Sequence, residues 1–396
     1  MTITITICLL LLIAYVFEIS SARTKIPSVI LLLLLGWIVK QSAGLFTEEI
    51  PDLNPFLPAL GTIGLILIVL EGALEVELNK SKLGVIRKSS LNALIPMFIL
   101  AFGFAFAFYY FGNMSFKLAL VNAIPFCVIS SAIAISSAKN FSQPIKEFVT
   151  YESSLSDIFG VLFFNFIALN DTIDAQSFGN FGLQLLFIIV ISFVAVLGLS
   201  FLLSRISHHI TYTPIILIVI LLYSISKVYH LPGLIFILVF GLFLGNLDEL
   251  KRFKWIEKLR PEKLDMEVKK FKEITTESTF LIRSLFFLLF GFLMEAGEIL
   301  NLQTLPWAAG IIVSIIVVRW IALKLSGFPS APLLFIAPRG LITILLFLAI
   351  APEQSILIVN KSLVIQIIVL SILVMMFGLM GTKKEETESD LALTNF

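Results

Sequence analysis

The stretch Tyr151-Glu152-Ser153-Ser154-Leu155-Ser156-Asp157-Ile158-Phe159-Gly160 sets two carboxylates and three serine hydroxyls into an otherwise apolar run. In a helix, Ser153 and Asp157 are four apart and share one face, and Glu152 and Ser156 share the neighbouring one. One side of such a helix therefore offers acid and hydroxyl oxygens to a proton or a small cation. A helix entered near Phe148 carries Asp157 about 14 Å deep, close to the middle of a bilayer core of roughly 30 Å. Ionisable groups at that depth are costly, and they mark an ion or substrate path by default.

Two other segments carry polar groups to the same depth. Pro332-Leu333-Leu334-Phe335-Ile336-Ala337-Pro338-Arg339-Gly340 contains an arginine that cannot lose its proton and must have a partner. Pro338 has no amide hydrogen, and Gly340 frees the backbone, so the helix is expected to break there. The segment Ile124-Pro125-Phe126-Cys127-Val128-Ile129-Ser130-Ser131-Ala132 has a proline followed by paired hydroxyls. Ser130 and Ser131, with freed carbonyls, could coordinate a small hard cation such as Na+. A small-residue packing face is the alternative for this span taken alone.

The elements that must hold these residues follow from composition. The chain has 396 residues, 58% of them apolar and 14% charged, with a mean hydropathy of +1.02. A water-soluble domain carries about 25% charged residues, so these values exclude a soluble enzyme, a disordered chain and a nucleic-acid binder. They describe an all-α polytopic membrane protein. Runs long enough for a bilayer give about thirteen spans, near 2–20, 26–42, 57–77, 88–111, 117–138, 148–169, 182–204, 212–227, 231–247, 278–296, 305–325, 331–350 and 357–380. The first run lacks a basic flank and a small-residue cleavage site, so it reads as a retained span. Cys8 and Cys127 fall inside apolar runs and read as buried core thiols.

Charge placement supports this count. Arg23, Lys25, Lys80, Lys82, Arg87, Lys88, Lys139, Lys146, Arg205, the basic stretch between Lys251 and Lys272, Arg319, Lys324, Lys383 and Lys384 are assigned to one side. Lys40, Lys117, Lys227 and Lys361 are assigned to the other. Basic short loops stay cytoplasmic, which puts the N-terminus outside and the C-terminus inside. Merging the eighth and ninth spans would spoil the asymmetry.

The expected organisation is a transmembrane domain over 1–381 and a short cytoplasmic tail over 382–396. Within the domain, one repeat covers about 1–170, a connector helix 182–204, and a second repeat about 212–381. A cytoplasmic linker, 248–277, reads either as an amphipathic surface helix carrying Phe253, Ile256 and Leu259 or as a solvated linker. The interrupted spans are the fifth and twelfth, and an odd offset reverses direction across the membrane. Paired interrupted helices in inverted halves are the best sequence pointer to a secondary transporter's site.

At this point the residues resemble the cation:proton antiporter superfamily, the sodium/proton exchangers. Lys25-Ile26-Pro27 with the leucine run to Gly36-Trp37, and Gly64 to Gly72 through Glu71, are weak motifs for it. The specific ones are Glu152-Ser153 with Asp157, Arg283 before Phe286-Phe287 and Gly291, and Pro338-Arg339-Gly340. The resemblance implies the sodium/proton antiporter fold, an inverted repeat of six-helix units with two crossing broken helices, and a homodimer. It implies that Asp157 binds either cation or proton, that Ser153 coordinates the cation, and that Glu152 pairs with Arg339.

Two departures bear on the cargo. Family members often carry Thr-Asp-Pro where this chain has Ser130-Ser131-Ala132, and Asn-Asp or Asp-Asp where it has Ser156-Asp157. The serine version is closer to the potassium-efflux branch. Exchange of Na+, K+ or Li+ for protons is therefore expected, and without a second carboxylate beside Asp157 it is expected to be electroneutral. A short chain of this kind suits a bacterial inner membrane and pH homeostasis.

Several residues stay open. Glu71 either joins the polar network or is an interfacial acid. Arg283 either snorkels to the inner surface or holds a carboxylate near the site. Asn165 is a candidate for the outer half of the path, and His208 and His209 read as solvated loop residues. No cofactor motif is present, and a GxxxxGK[ST] loop for an ATP-driven pump is absent. Three competing functions are weaker. A symporter of an organic anion needs free positive charge at the crossover, a channel needs a filter or repeated pore loop, and a membrane enzyme needs a midplane His or Ser/His group.

Overall fold

A computed structural model describes residues 2–24, 26–43, 52–76, 82–138, 141–170, 173–205, 212–229, 231, 233–246 and 261–382. The described residues are predominantly helical, with no strand among them. The helices are α1 (Thr2–Thr24), α2 (Ser28–Ala43), α3 (Phe56–Glu75), α4 (Leu83–Gly112), α5 (Phe116–Ala123), α6 (Ser131–Ala138), α7 (Gln143–Leu169), α8 (Ala175–Arg205), α9 (Tyr212–Val228) and α10 (Gly233–Gly245). After them come α11 (Pro261–Leu293), α12 (Ala296–Ile299), α13 (Leu305–Ser326), α14 (Leu341–Leu348) and α15 (Lys361–Gly381). The predominance of helix has a direct cause. Hydrocarbon offers no partner for a backbone N–H or C=O, and a helix satisfies its own.

Among the described residues, nine spans are long and apolar enough to cross a membrane, and α2, α9 and α10 are shorter apolar helices. The apolar side chains on their outer faces, such as Leu9, Leu12 and Val16 on α1 or Leu186, Phe187 and Val194 on α8, are exposed, as lipid-facing residues must be. The eighth and ninth expected spans are separate helices, α9 and α10. The expected soluble stretch 248–277 is revised in its second half. Residues 261–277 form one continuous helix with the tenth span, because α11 runs unbroken from Pro261 to Leu293. Phe253, Ile256 and Leu259, His208 and His209, and the tail 383–396 lie outside the described residues. The pair of thiols also divides: Cys127 is buried, but Cys8 is exposed on α1, whose outer face is apolar rather than packed.

The chain forms two compact units, one of Met1–Thr62, Val85–Phe164 and Leu281–Phe396, the other of Ile63–Gly84 and Asn165–Phe280. In the second unit, α3 and α10 pack closely enough that a Cβ on Gly241 would lie 2.5 Å from the Ala73 Cβ. The Asn246 amide closes the end of α3 by donating to the Val76 carbonyl at 2.8 Å. Lys272 and Glu75 approach to 3.8 Å nearby. Glu71 is half-buried in α3 in this unit, and Asn165 is also among its residues.

In the first unit, α2 and α11 cross backbone to backbone. A Cβ on Gly36 would lie 2.2 Å from the Leu288 carbonyl oxygen, and one on Gly291 would lie 2.3 Å from that of Leu33. Small residues let helices approach this closely in lipid, where packing rather than hydrophobic exclusion drives association. Gly36→Val or Gly291→Val is expected to cost about 1–3 kcal/mol through overpacking. This should appear as a lower unfolding temperature of the detergent-purified protein. Gly310→Ala, at a glycine with open space around it, should leave that temperature unchanged.

Candidate functional site

Both expected interruptions are present, and each has a local cause. The helix α5 ends at Ala123 and tightens into a 3-10 turn over Ile124–Phe126, where Pro125 supplies no amide hydrogen. Residues 127–130 are non-helical, and α6 restarts at Ser131. In the twelfth expected span, residues 331–335 form turns, 336–340 are irregular, and helix returns only at Leu341. Pro332 and Pro338 deny that stretch two backbone donors.

The two unwound stretches cross. The Ser130 N–H donates to the Pro338 carbonyl at 2.9 Å. Gly340 sits so close to this point that a Cβ there would lie 2.6 Å from Ile133 Cδ1 and 2.9 Å from Ser130 Oγ. On the other side, a Cβ on Gly160 of α7 would lie 2.3 Å from a Val128 methyl. The stretches therefore meet through a backbone hydrogen bond, with glycine leaving room for the Ile133, Ser130 and Val128 side chains at the tightest contacts.

Arg339 is 1% exposed and makes no ion pair among the described residues. Its Nε donates to the Phe126 carbonyl at 2.7 Å, Nη1 to Ala337 at 2.8 Å and Nη2 to Cys127 at 3.3 Å. Its own N–H donates to Ser371 Oγ at 2.9 Å. The guanidinium thus satisfies carbonyls that the broken helix leaves open. It also places positive charge at the C-terminal, negative end of α5.

The partner expected for Arg339 is taken by another residue. Glu152, 1% exposed in α7, accepts from Arg319 of α13 at both oxygens, Nη1 to Oε1 and Nη2 to Oε2, each at 2.8 Å. Such a two-pronged pair is the geometry a guanidinium fork favours. Arg319 also donates from Nε to the Leu333 carbonyl at 2.8 Å and from Nη2 to Ile336 at 3.1 Å. The Glu152–Arg339 pair is therefore corrected to Glu152–Arg319, and Arg319 is no loop residue. It is 4% exposed, inside α13, about 10 Å from the helix end at Ser326. The signal was available: Arg319 stands in the apolar run Ile315-Ile316-Val317-Val318 as deeply as Arg339 does in its own. Lys324, one turn further on, stacks over the Trp320 ring at 4.0 Å.

Asp157 is 2% exposed. One oxygen, Oδ2, accepts from the Ser131 hydroxyl and, at 3.4 Å, from the Ser131 N–H. That N–H is the first of α6, so the carboxylate lies at a half-helix N-terminus, where negative charge is stabilised. The other oxygen, Oδ1, has no hydrogen-bond partner. Among the described residues this is the one buried carboxylate oxygen left so. A group held on one side and open on the other can take up a proton or a cation.

The surrounding serines divide their roles. Ser156 Oγ accepts the Ile129 N–H at 3.0 Å, so it anchors the unwound backbone. The Ser153 hydroxyl donates to Val149 at 2.7 Å and keeps its lone pairs for a further partner. Ser130 is buried at the crossing itself. A cavity of about 10 Å³ lies on the arginine side, bordered by Asn92, Met97, Cys127, Ile129, Arg319 and Arg339. It has room for one water. Arg283, 9% exposed in α11, is paired with Glu18 of α1.

A bilayer-spanning helical fold with a carboxylate beside crossed, unwound helices defines a secondary ion transporter. The family model described as "Sodium/hydrogen exchanger, transmembrane" matches residues 8–382, so the chain belongs to that family. It is a family of transporters, not enzymes, and its members exchange a cation for protons. No curated relative matches the chain in sequence. The fold is similar to that of the sodium proton antiporter MjNhaP1 from Methanocaldococcus jannaschii at pH 8, with a TM-score of 0.66 and 18% identity over 98% of each chain. A second structure of MjNhaP1, from an electron-microscopy map, gives a TM-score of 0.65 and 19% identity, covering 100% of this chain and 98% of that one.

The corrected pair can be tested directly. Arg319→Gln strands the buried Glu152 charge, which costs about 3–5 kcal/mol. Adding Glu152→Gln should restore much of that stability, read as the unfolding temperature in detergent. The same addition should not rescue Arg339→Gln, because Arg339 serves backbone carbonyls.

Proposed function

We propose that the protein exchanges a monovalent cation, Na+ in the first instance and K+ or Li+ as alternatives, for protons through Asp157 by alternating access. The observation that carries this reading is the half-held carboxylate. Ser131 fixes Oδ2 and leaves Oδ1 open, so cation and proton compete for one site. Ser153 and Ser130 supply oxygens for the cation, while Ser156 and Ser131 hold the unwound backbone and the carboxylate in register. Competition of this kind couples the two fluxes without any shared step.

The charges nearby favour electroneutral exchange. Glu152 and Arg319 cancel, and Arg339 keeps its charge throughout. Loading Asp157 with a proton or with a monovalent cation then changes the site by the same amount. Inverted repeats over about 1–170 and 212–381 supply the rocking that alternates access. We read the functional unit as a homodimer in a bacterial inner membrane with a cytoplasmic C-terminus, where the exchange serves pH homeostasis. Transport of an organic anion is less well supported. Arg319 is committed to Glu152, and Arg339 to carbonyls, so neither offers a guanidinium to an anion.

In proteoliposomes carrying an internal pH dye, a Na+ pulse should release protons from wild-type vesicles. Asp157→Asn should abolish the response while the protein remains folded; persistent exchange in that variant would sink the reading. An imposed membrane potential should leave the wild-type rate unchanged, whereas acceleration by one polarity would show a net charge moving.

A further inference from the structure

Glu18 is the lone acid in α1, a helix that otherwise reads as apolar. A carboxylate there is costly, and nothing in the exchange at Asp157 uses it. Its environment shows what it holds. Glu18 Oε2 accepts from the buried Ser28 hydroxyl at 2.7 Å, and Oε1 faces Arg283 Nη2 at 3.3 Å. From its other prong, Nη1, Arg283 donates to the Ala132 carbonyl at 3.3 Å. Ala132 is the second residue of α6, directly after Ser131, whose N–H and hydroxyl both reach Asp157.

The helix α6 has only eight residues. A helix that short has little intrinsic stability, so its position depends on side chains that grip it. The Ala132 carbonyl is a direct handle on the turn that carries Ser131. A guanidinium always keeps its charge, and it reaches two acceptors only when both prongs are aimed.

Building on the reading of Asp157 as the exchange site, we propose that Glu18 and Arg283 are a positioning pair for it. Glu18 orients Arg283, Arg283 holds the first turn of α6, and that turn sets the Ser131 donors against Asp157. Neither residue touches the cation. Their effect is on how well Asp157 is presented, because a site held loosely by even half an ångström binds less well.

The test is Na+-driven proton release in proteoliposomes across a range of Na+ concentrations, for wild type, Glu18→Gln and Glu18→Asp. Losing one charge-assisted contact should raise the half-saturating Na+ about fivefold, more than it lowers the maximal rate. Glu18→Asp, which keeps the charge on a shorter arm, should fall between. Na+-dependent thermal protection of the purified proteins should shift to higher Na+ in the same order.

The charge-reversed double variant, Glu18→Arg with Arg283→Glu, should recover thermal stability but not Na+ affinity. A carboxylate at position 283 cannot donate to the Ala132 carbonyl. Wild-type half-saturation in Glu18→Gln, or restored affinity in the reversed pair, would overturn the proposal. Either result would leave the Asp157 reading intact, since that stands on wild-type exchange and its loss in Asp157→Asn in the same vesicles.

Discussion

Unwound backbone in the middle of a membrane domain must find hydrogen-bond partners inside the protein, and the site is organised around that constraint. At the crossing, a backbone–backbone bond joins the two broken stretches, from the Ser130 N–H to the Pro338 carbonyl. Five further carbonyls of these stretches go to two arginines. Arg339 takes those of Phe126, Cys127 and Ala337, and Arg319 takes those of Leu333 and Ile336. Each unpaired group would otherwise cost several kcal/mol in hydrocarbon.

This gives the two guanidinium groups different consequences. Arg319 brings a positive charge that Glu152 cancels, so it ties α7, α13 and the second break together without altering the local balance. Arg339 bonds to carbonyls rather than to a carboxylate among the described residues, and it adds a fixed positive charge to the crossing. Asp157, at the N-terminus of α6, is the negative group left to answer it. The same crossing that requires buried cations therefore leaves one carboxylate free to bind and release. The interruption of α5 and α6 also gives Asp157 its donors, since a continuous helix would have spent the Ser131 N–H on its own carbonyl ladder.

Much of this was legible in the sequence because local chemistry dictates it. Proline removes a donor wherever it stands, so Pro125 and Pro338 marked both breaks. Apolar run length marked the spans. A carboxylate in such a run marked itself, as Asp157 and Glu152 did. What misled was sorting charge by distance along the chain. Arg319 and Lys324 are only five residues apart, yet on the helix one is a buried guanidinium and the other is not buried. Glu18 carries no such local signal, because its partners Ser28 and Arg283 come from other helices.

By itself the sequence determined an all-helical membrane chain, the two places where helix must fail, and the residue types at the middle of the bilayer. These follow from hydrocarbon's refusal of charge and from backbone chemistry, which act within a few residues. Partnership was decided only by the tertiary structure. Glu152 lies 167 positions from Arg319 and 187 from Arg339, and nothing in either separation favours one guanidinium over the other. The choice depends on which helix brings its arginine to the face of α7 and which is already occupied by open carbonyls. That is a matter of packing in three dimensions.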